Sequence, residues 1–392
     1  MSLLSPFSFL ALSYFGYFSS LGLFLPYLPL FLKANSFTGV EISMILSLIP
    51  ILKLITPPFW GYLADVVLPG KYLLFISTFF SALLFILLLF FHTHYILIAV
   101  LVFYAFFRAP FIPIINALTF SFLGNNRENF SHVRVWGSVG FIIIATTGGT
   151  IISKGNILIL FPILMLVPLT ITAVSSLTLP NDKIKRDKIS TKKLISLLKN
   201  RTFIYFIIIS MISRIADGPY YSFFSIHLKN LGFSEKYIGI AWSVGVLGEI
   251  ALFIIGPKLI KKFNLKTILF AAYFGGIVRW SIIAFAKTST IIIFSQLFHA
   301  LTFGAFYIAS VTFIEEITPP EFRATAQSIF ASLSFNLGVL LGYSYSGFLY
   351  QHSGAKALFL SAALISLTAT ILLIFLRYPV KKDIQENLSE LS

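Results

Sequence analysis

Cysteine is absent from the 392 residues, and charge is scarce: only 11% of the side chains are Asp, Glu, Lys or Arg. The first absence excludes disulfides, thiolate metal ligands and a cysteine nucleophile, and leaves the redox compartment unread. The second excludes a water-soluble domain of this length, whose surface needs far more charge. Acids are the rarer sign, 14 against 29 Lys and Arg, for a net charge of +15. No phosphate-cradling G-x-x-x-x-G-K-[ST] loop occurs, which argues against ATP-driven pumping. No segment pairs a nucleophile with a base or gathers metal ligands, which argues against an enzyme; His92 and His94 have no carboxylate beside them.

What the chain has instead is apolar length: 57% hydrophobic residues and a mean hydropathy of +0.91. A bilayer core needs roughly 20 apolar residues per helix, and apolar runs recur throughout with short polar breaks. Twelve spans are predicted, at 7–32, 40–64, 72–91, 95–123, 131–153, 157–179, 202–228, 237–260, 267–286, 290–314, 324–350 and 357–377. The opening run has no basic residue before it and continues past Leu30, so a retained first span is expected rather than a cleaved leader. Cations gather in alternate breaks, such as "NDKIKRDKISTKKLISLLKNR" and "KKFNLK", while "HTH", "SKGN" and "KTST" are short. The positive-inside rule then puts both termini in the cytoplasm. Loop cations account for the net charge without nucleic acid. The organisation expected is a six-helix bundle at 1–179, a basic cytoplasmic linker at 180–201, a second six-helix bundle at 202–378 and a cytoplasmic tail at 379–392.

The halves carry an internal repeat. Sliding Gly22 onto Gly218, an offset of 196 residues, brings Leu32-Lys33 onto Leu228-Lys229, Phe37 onto Phe233, Ile42 onto Ile238 and Lys53 onto Glu249. Prolines inside spans, among them Pro57, Pro58, Pro110 and Pro113, are tolerated where neighbours or a wet cavity satisfy the freed carbonyls.

Charges inside spans are few and costly, about 3 kcal/mol each at the bilayer centre. The cations are Lys53, Arg108, Arg134, Arg214 and Arg279; the acids are Asp217 and Glu249. Arg214 and Asp217 are three residues apart and can neutralise each other. Glu249 can serve one more cation, and the others must face a cavity or a membrane edge. Arg134 opens span 5 beside Trp136 and either snorkels to headgroups or faces a cavity. Span 8 aligns Trp242, Gly245 and Glu249 on one stripe, an aromatic face followed by an acid suited to carrying a proton. Span 10 offers His299 and Thr302, with Phe306 one turn on. Between spans 2 and 3, "GYLADVVLPGKYLL" places Asp65 near Lys71, a pair that can latch and release as the halves rock.

That loop resembles the signature loop of the major facilitator superfamily. "YFGYFSSLGLFLPY", "VRVWGSVGF", "WSVGVLGEIALFIIGPKLIKK" and "GIVRW" followed by "QLFHALTFGAF" resemble the bacterial 3-phenylpropionate transporter family and, more weakly, lactose permease. The resemblance implies an all-α integral membrane fold: twelve helices in two six-helix bundles related by a parallel pseudo-two-fold, with a site near the midplane. It implies a secondary transporter working by alternating access, and proton-coupled symport of a small organic anion such as an aromatic carboxylate. No cofactor is implied beyond a proton gradient, and the partners are a small-molecule substrate, protons and the lipid bilayer, with no nucleic acid. Matched to the permease, Arg134 and Glu249 fall on its substrate-recognising residues, and Arg279 and His299 on its coupling network. Three positions depart: Asn116, Thr302 and Gln296 stand where charged residues would be. The expected site is therefore Arg134, Lys53, Asn116, Trp136, Glu249 and Trp242 for substrate, Glu249, Arg279, His299 and Asp217 for coupling, and Asp65 and Lys71 for gating. The rival readings are a proton-coupled sugar or nucleoside symporter and, from another class, a receptor or scaffold that does not transport.

Overall fold

The computed structural model describes residues 6–124, 126, 129–179 and 197–376, and every described element is helical. Most of the linker expected at 180–201 and all of the tail at 379–392 lie outside the described residues. Ten helices are long and apolar enough to cross a membrane, and an eleventh span is a pair, Gly39–Ile55 and Pro57–Val67, bent by 46°. The bend follows from Pro57 and Pro58, which lack the N–H groups a continuous helix would use. The twelfth predicted span is hidden in one long helical run, Arg323–Ile374, of 52 residues. At 1.5 Å per residue that run is more than twice the thickness of a hydrocarbon core. It turns at Gly354, whose φ of 75° and ψ of 179° lie outside helical geometry. The predicted spans 324–350 and 357–377 fall on either side of this glycine.

Helix starts are fixed by polar side chains in the breaks. Thr38 and Glu41 form a capping box: the Glu41 amide donates to the Thr38 hydroxyl at 3.3 Å and the Thr38 amide to the Glu41 carboxylate at 2.8 Å. Asn156, Asn200 and Asn264 each accept a backbone N–H from the first turn of the helix they precede, the usual role of asparagine at that position.

The repeat seen in the sequence is reproduced bond for bond in two hairpins. After span 1 the amide of Ser36 donates to Lys33, Phe37 to Leu32 and Ile42 to Thr38; after span 7 Gly232 donates to Lys229, Phe233 to Leu228 and Ile238 to Ser234. Each pair is separated by the same 196 residues. Both turns place one residue at positive φ, Ser36 at 66° and Gly232 at 89°, which closes the helix end by a left-handed cap.

The described residues fall into two compact units, one drawn from Met1–Arg186 and Tyr221–Ser243, the other from Asp187–Tyr220 and Val244–Ser392. In the first, a core around Tyr14, Trp60, Leu73, Phe111, Ile115 and Val133 joins spans 1 to 5. In the second, Phe206, Leu269, Phe306, Phe313 and Phe330 hold spans 7, 9, 10 and 11 together.

Candidate functional site

In the first unit, span 5 is the helix Phe130–Ile152 and packs on span 1, Pro6–Ala34. The approach depends on Gly137: a Cβ there would meet Phe18 Cδ2 at 2.7 Å and Arg134 Nη1 at 2.9 Å. With no side chain in the way, the Arg134 guanidinium lies over Phe18, 3.7 Å from the ring centroid, with Tyr14 at 5.9 Å. Such a cation–π contact is worth about 0.5–2 kcal/mol depending on desolvation. Tyr14 in turn donates its hydroxyl to Asn116 Oδ1 at 2.6 Å. Arg134 and Asn116 thus share Tyr14 as a neighbour, and a neutral amide stands where the permease pattern has an acid.

Two cations of this unit lie where the helices break. Lys53 sits in the last turn of Gly39–Ile55, before the proline bend, and its side chain is exposed. Arg108 ends the helix His94–Arg108, just before Pro110 interrupts span 4, and is only 6% exposed. Its guanidinium is caged by Tyr17, Phe24 and Tyr104, at 4.7, 5.4 and 5.5 Å from their ring centroids. Nη1 donates to the Tyr104 hydroxyl and, at 3.4 Å, to Ser20 Oγ. Nη2 has no hydrogen-bond partner. Among the described residues no carboxylate forms an ion pair with Arg108 or Lys53.

The second unit compensates its charges closely. Arg214 meets Asp217 at 2.6 Å and donates through Nη2 to the Thr302 carbonyl, also at 2.6 Å. That carbonyl is available because Ala300–Ala305 forms a π-helical segment in span 10, a geometry that displaces the regular ladder of bonds. Arg279, 1% exposed, donates to Thr302 Oγ1 and His299 Nδ1 at 3.0 Å each and to Gln296 Oε1 at 3.1 Å. A guanidinium can only donate, so His299 Nδ1 accepts and its proton resides on Nε2. Nε2 points to Glu249 Oε2 at 3.7 Å. Arg279, His299 and Glu249 therefore form a chain across spans 9, 10 and 8.

The structure thus gathers the expected coupling residues, with Asp217 paired to Arg214 and one residue, Thr302, away from the Arg279 chain. Thr302 and Gln296, noted as departures in the sequence, are the neutral acceptors that hold Arg279. Three further groups of expected residues are placed as follows. Trp136 is 46% exposed but lies two residues from Arg134 on a helix, a spacing that puts side chains on different faces, so the two do not form one subsite. Trp242 is 3% exposed with its indole N–H donated to Ser225 Oγ at 3.0 Å; it packs against span 7 and has no open face for a solute. Asp65 is exposed, and no ion pair joins it to Lys71 among the described residues; Lys71 instead lies over Tyr72 at 5.0 Å. Arg108 was counted among the span cations and left out of the expected site. Its signal was an arginine followed at once by "APFIP", two prolines that open the backbone next to a charge.

Comparisons with known proteins agree with this architecture. A family model described as the MFS_1 like family matches residues 7–361. The chain is 24% identical over 366 residues to the uncharacterized transporter YwbF of Bacillus subtilis (strain 168), covering 92% of this chain and 90% of that protein. It is 25% identical over 374 residues to a protein of Escherichia coli (strain K12) named as a probable 3-phenylpropionic acid transporter, covering 93% and 96%. Among solved structures, the nucleoside transporter NupG superposes with a TM-score of 0.82 at 20% identity, covering 95% of this chain and 99% of that one. The relatives are transporters, and the family model spans nearly every described helix: the chain belongs to the MFS_1 like family of the major facilitator superfamily and is a multi-pass membrane transporter, not an enzyme.

Proposed function

We propose that this transporter is a proton-coupled symporter of a small organic anion, with an aromatic monocarboxylate of the 3-phenylpropionate kind as the leading candidate. The observation that carries the reading is the pair of cations in the first unit, Lys53 and Arg108, that no acid of the described residues neutralises. Two uncompensated charges at membrane depth are costly, and an anionic solute removes that cost only while it is bound. The relative named for 3-phenylpropionic acid supports the same class. In the second unit, Glu249 beside His299 is the group assigned to the travelling proton, with Arg279 setting the histidine tautomer. The protein is placed in a bacterial inner membrane with both termini cytoplasmic, working by alternating access. A second reading, symport of a neutral nucleoside or sugar, is favoured by the NupG-like fold and by the neutral acceptors Asn116, Gln296 and Thr302.

The test is flux into proteoliposomes under an imposed inward proton gradient, comparing labelled 3-phenylpropionate, a galactoside and a nucleoside. Uptake of the acid alone, abolished by a protonophore, is the expected result. Gradient-driven uptake of a neutral solute without the acid overturns the anion reading. Uptake of the acid that ignores the gradient removes the proton.

A further inference from the structure

We infer that Arg108, rather than Arg134, is the carboxylate anchor of the first unit, and that the recess beside it accepts one carboxylate oxygen of an organic acid. This deepens the anion reading above and rests on it. The recess is lined by Tyr17, Ser20, Tyr104, Arg108 and Phe111, with Ser77, Thr78 and Ser81 of span 3, and has a volume of about 10 Å³, room for one water or one carboxylate oxygen.

The distribution of donors decides which kind of group fits. The hydroxyl hydrogens of Ser20, Ser77, Thr78 and Ser81 are spent on carbonyls of their own helices, at 2.6 to 3.0 Å. What remains directed at an incoming group is the buried, unpartnered Nη2 of Arg108; the Tyr104 oxygen accepts from Nη1, and its hydrogen has Ser20 as a partner. A donor carried by the cation itself matches one oxygen of a carboxylate and leaves an uncharged amide with a poorer fit. Lys53, on the span that packs against span 4, adds a second positive charge to the unit. Arg134 is differently placed: it is half-buried and its guanidinium face is covered by Phe18. The solute's body remains outside the recess, which is too small for a ring, so the site selects for a carboxylate head and tolerates varied bodies attached to it.

The experiment measures binding of 3-phenylpropionate and of its uncharged amide to the purified full-length protein, wild type and Arg108→Gln, Lys53→Gln and Arg134→Gln, with size-exclusion profiles as the check on folding. Hydrogen bonds to a charged group are worth about 1.5–3 kcal/mol, so Arg108→Gln is expected to weaken acid binding by about 10- to 100-fold while amide binding changes little. Lys53→Gln should lose a smaller factor and Arg134→Gln the least. Wild-type preference for acid over amide that survives Arg108→Gln overturns the assignment, makes Arg108 a holder of structural water only, and leaves the anion reading standing. A wild type with no preference overturns both. If Arg108→Gln does not purify as a folded protein, Arg108→Lys decides, because it keeps the charge and removes the second guanidinium nitrogen: unchanged acid affinity in that variant also overturns the assignment.

Discussion

At Arg214 the cost of a charge in the membrane is met locally. Asp217 neutralises it, the Thr302 carbonyl accepts its second nitrogen, and Phe306 lies 4.0 Å beneath the guanidinium. Removing one partner of a buried pair leaves the other charge uncompensated, at about 3–5 kcal/mol. Asp217→Asn and Arg214→Gln are therefore each expected to lower the unfolding midpoint in detergent strongly, and Arg214→Met combined with Asp217→Leu to lower it less than either alone. Equal or additive losses would show that the two side chains do not act as a pair. The Arg214–Asp217 pairing was legible in the sequence because three-residue spacing on a helix brings side chains together by geometry alone. The environment of Arg134 was not: its position over Phe18 depends on an absent Cβ at Gly137 and on which face of span 1 turns toward span 5. The same limit explains Trp242, whose stripe with Gly245 and Glu249 is real as helical spacing, although the first of the three turns into a packed hairpin with Ser225.

Elements were legible where composition and geometry say the same thing. Apolar runs bounded by Asn, Thr or Gly became helices with those residues as caps, and the Pro57–Pro58 pair became a bend. The boundary that composition located and helical continuity obscured is at Gly354, where two spans join with only one residue outside helical geometry. A Cβ at Gly354 would meet nothing within 4 Å, so a substitution there is penalised by backbone conformation alone. Gly354→Ala and Gly354→Asn should both lower the thermal midpoint, and by similar amounts, because φ 75° with ψ 179° lies outside the left-handed basin that asparagine enters and is open essentially to glycine alone. An unchanged midpoint in either variant would show that the backbone turns there without help from the glycine. The paired hairpins offer a test in the opposite direction. Ser36 occupies the conformation for which the second copy uses Gly232, so Ser36→Gly should raise the midpoint slightly, by at most about 1 kcal/mol in stability. A fall would show that the serine makes a contact that its backbone conformation does not reveal.

Over the whole molecule, the family and the helical fold were legible because a bilayer imposes a length and a polarity that few sequences satisfy by chance. The chemistry was legible only in part, since side chains from spans far apart in sequence meet at angles that no spacing encodes. The charge pattern makes its own prediction at this scale: with cations gathered in alternate breaks, tags at both ends should be reached by protease in inverted vesicles and protected in intact spheroplasts. Tags reached from opposite sides would require an odd number of spans. Thr302 has a mechanical consequence for how the second unit can move. Its carbonyl is held by Arg214 from span 7 and its hydroxyl by Arg279 from span 9, two moorings on opposite ends of one residue. Turning span 10 about its long axis would stretch both at once, whereas tipping it with Thr302 as the fulcrum would stretch neither. A span moored in this way moves as a lever, so a change in the charge of Glu249 or His299 would be passed on as tilt rather than as twist.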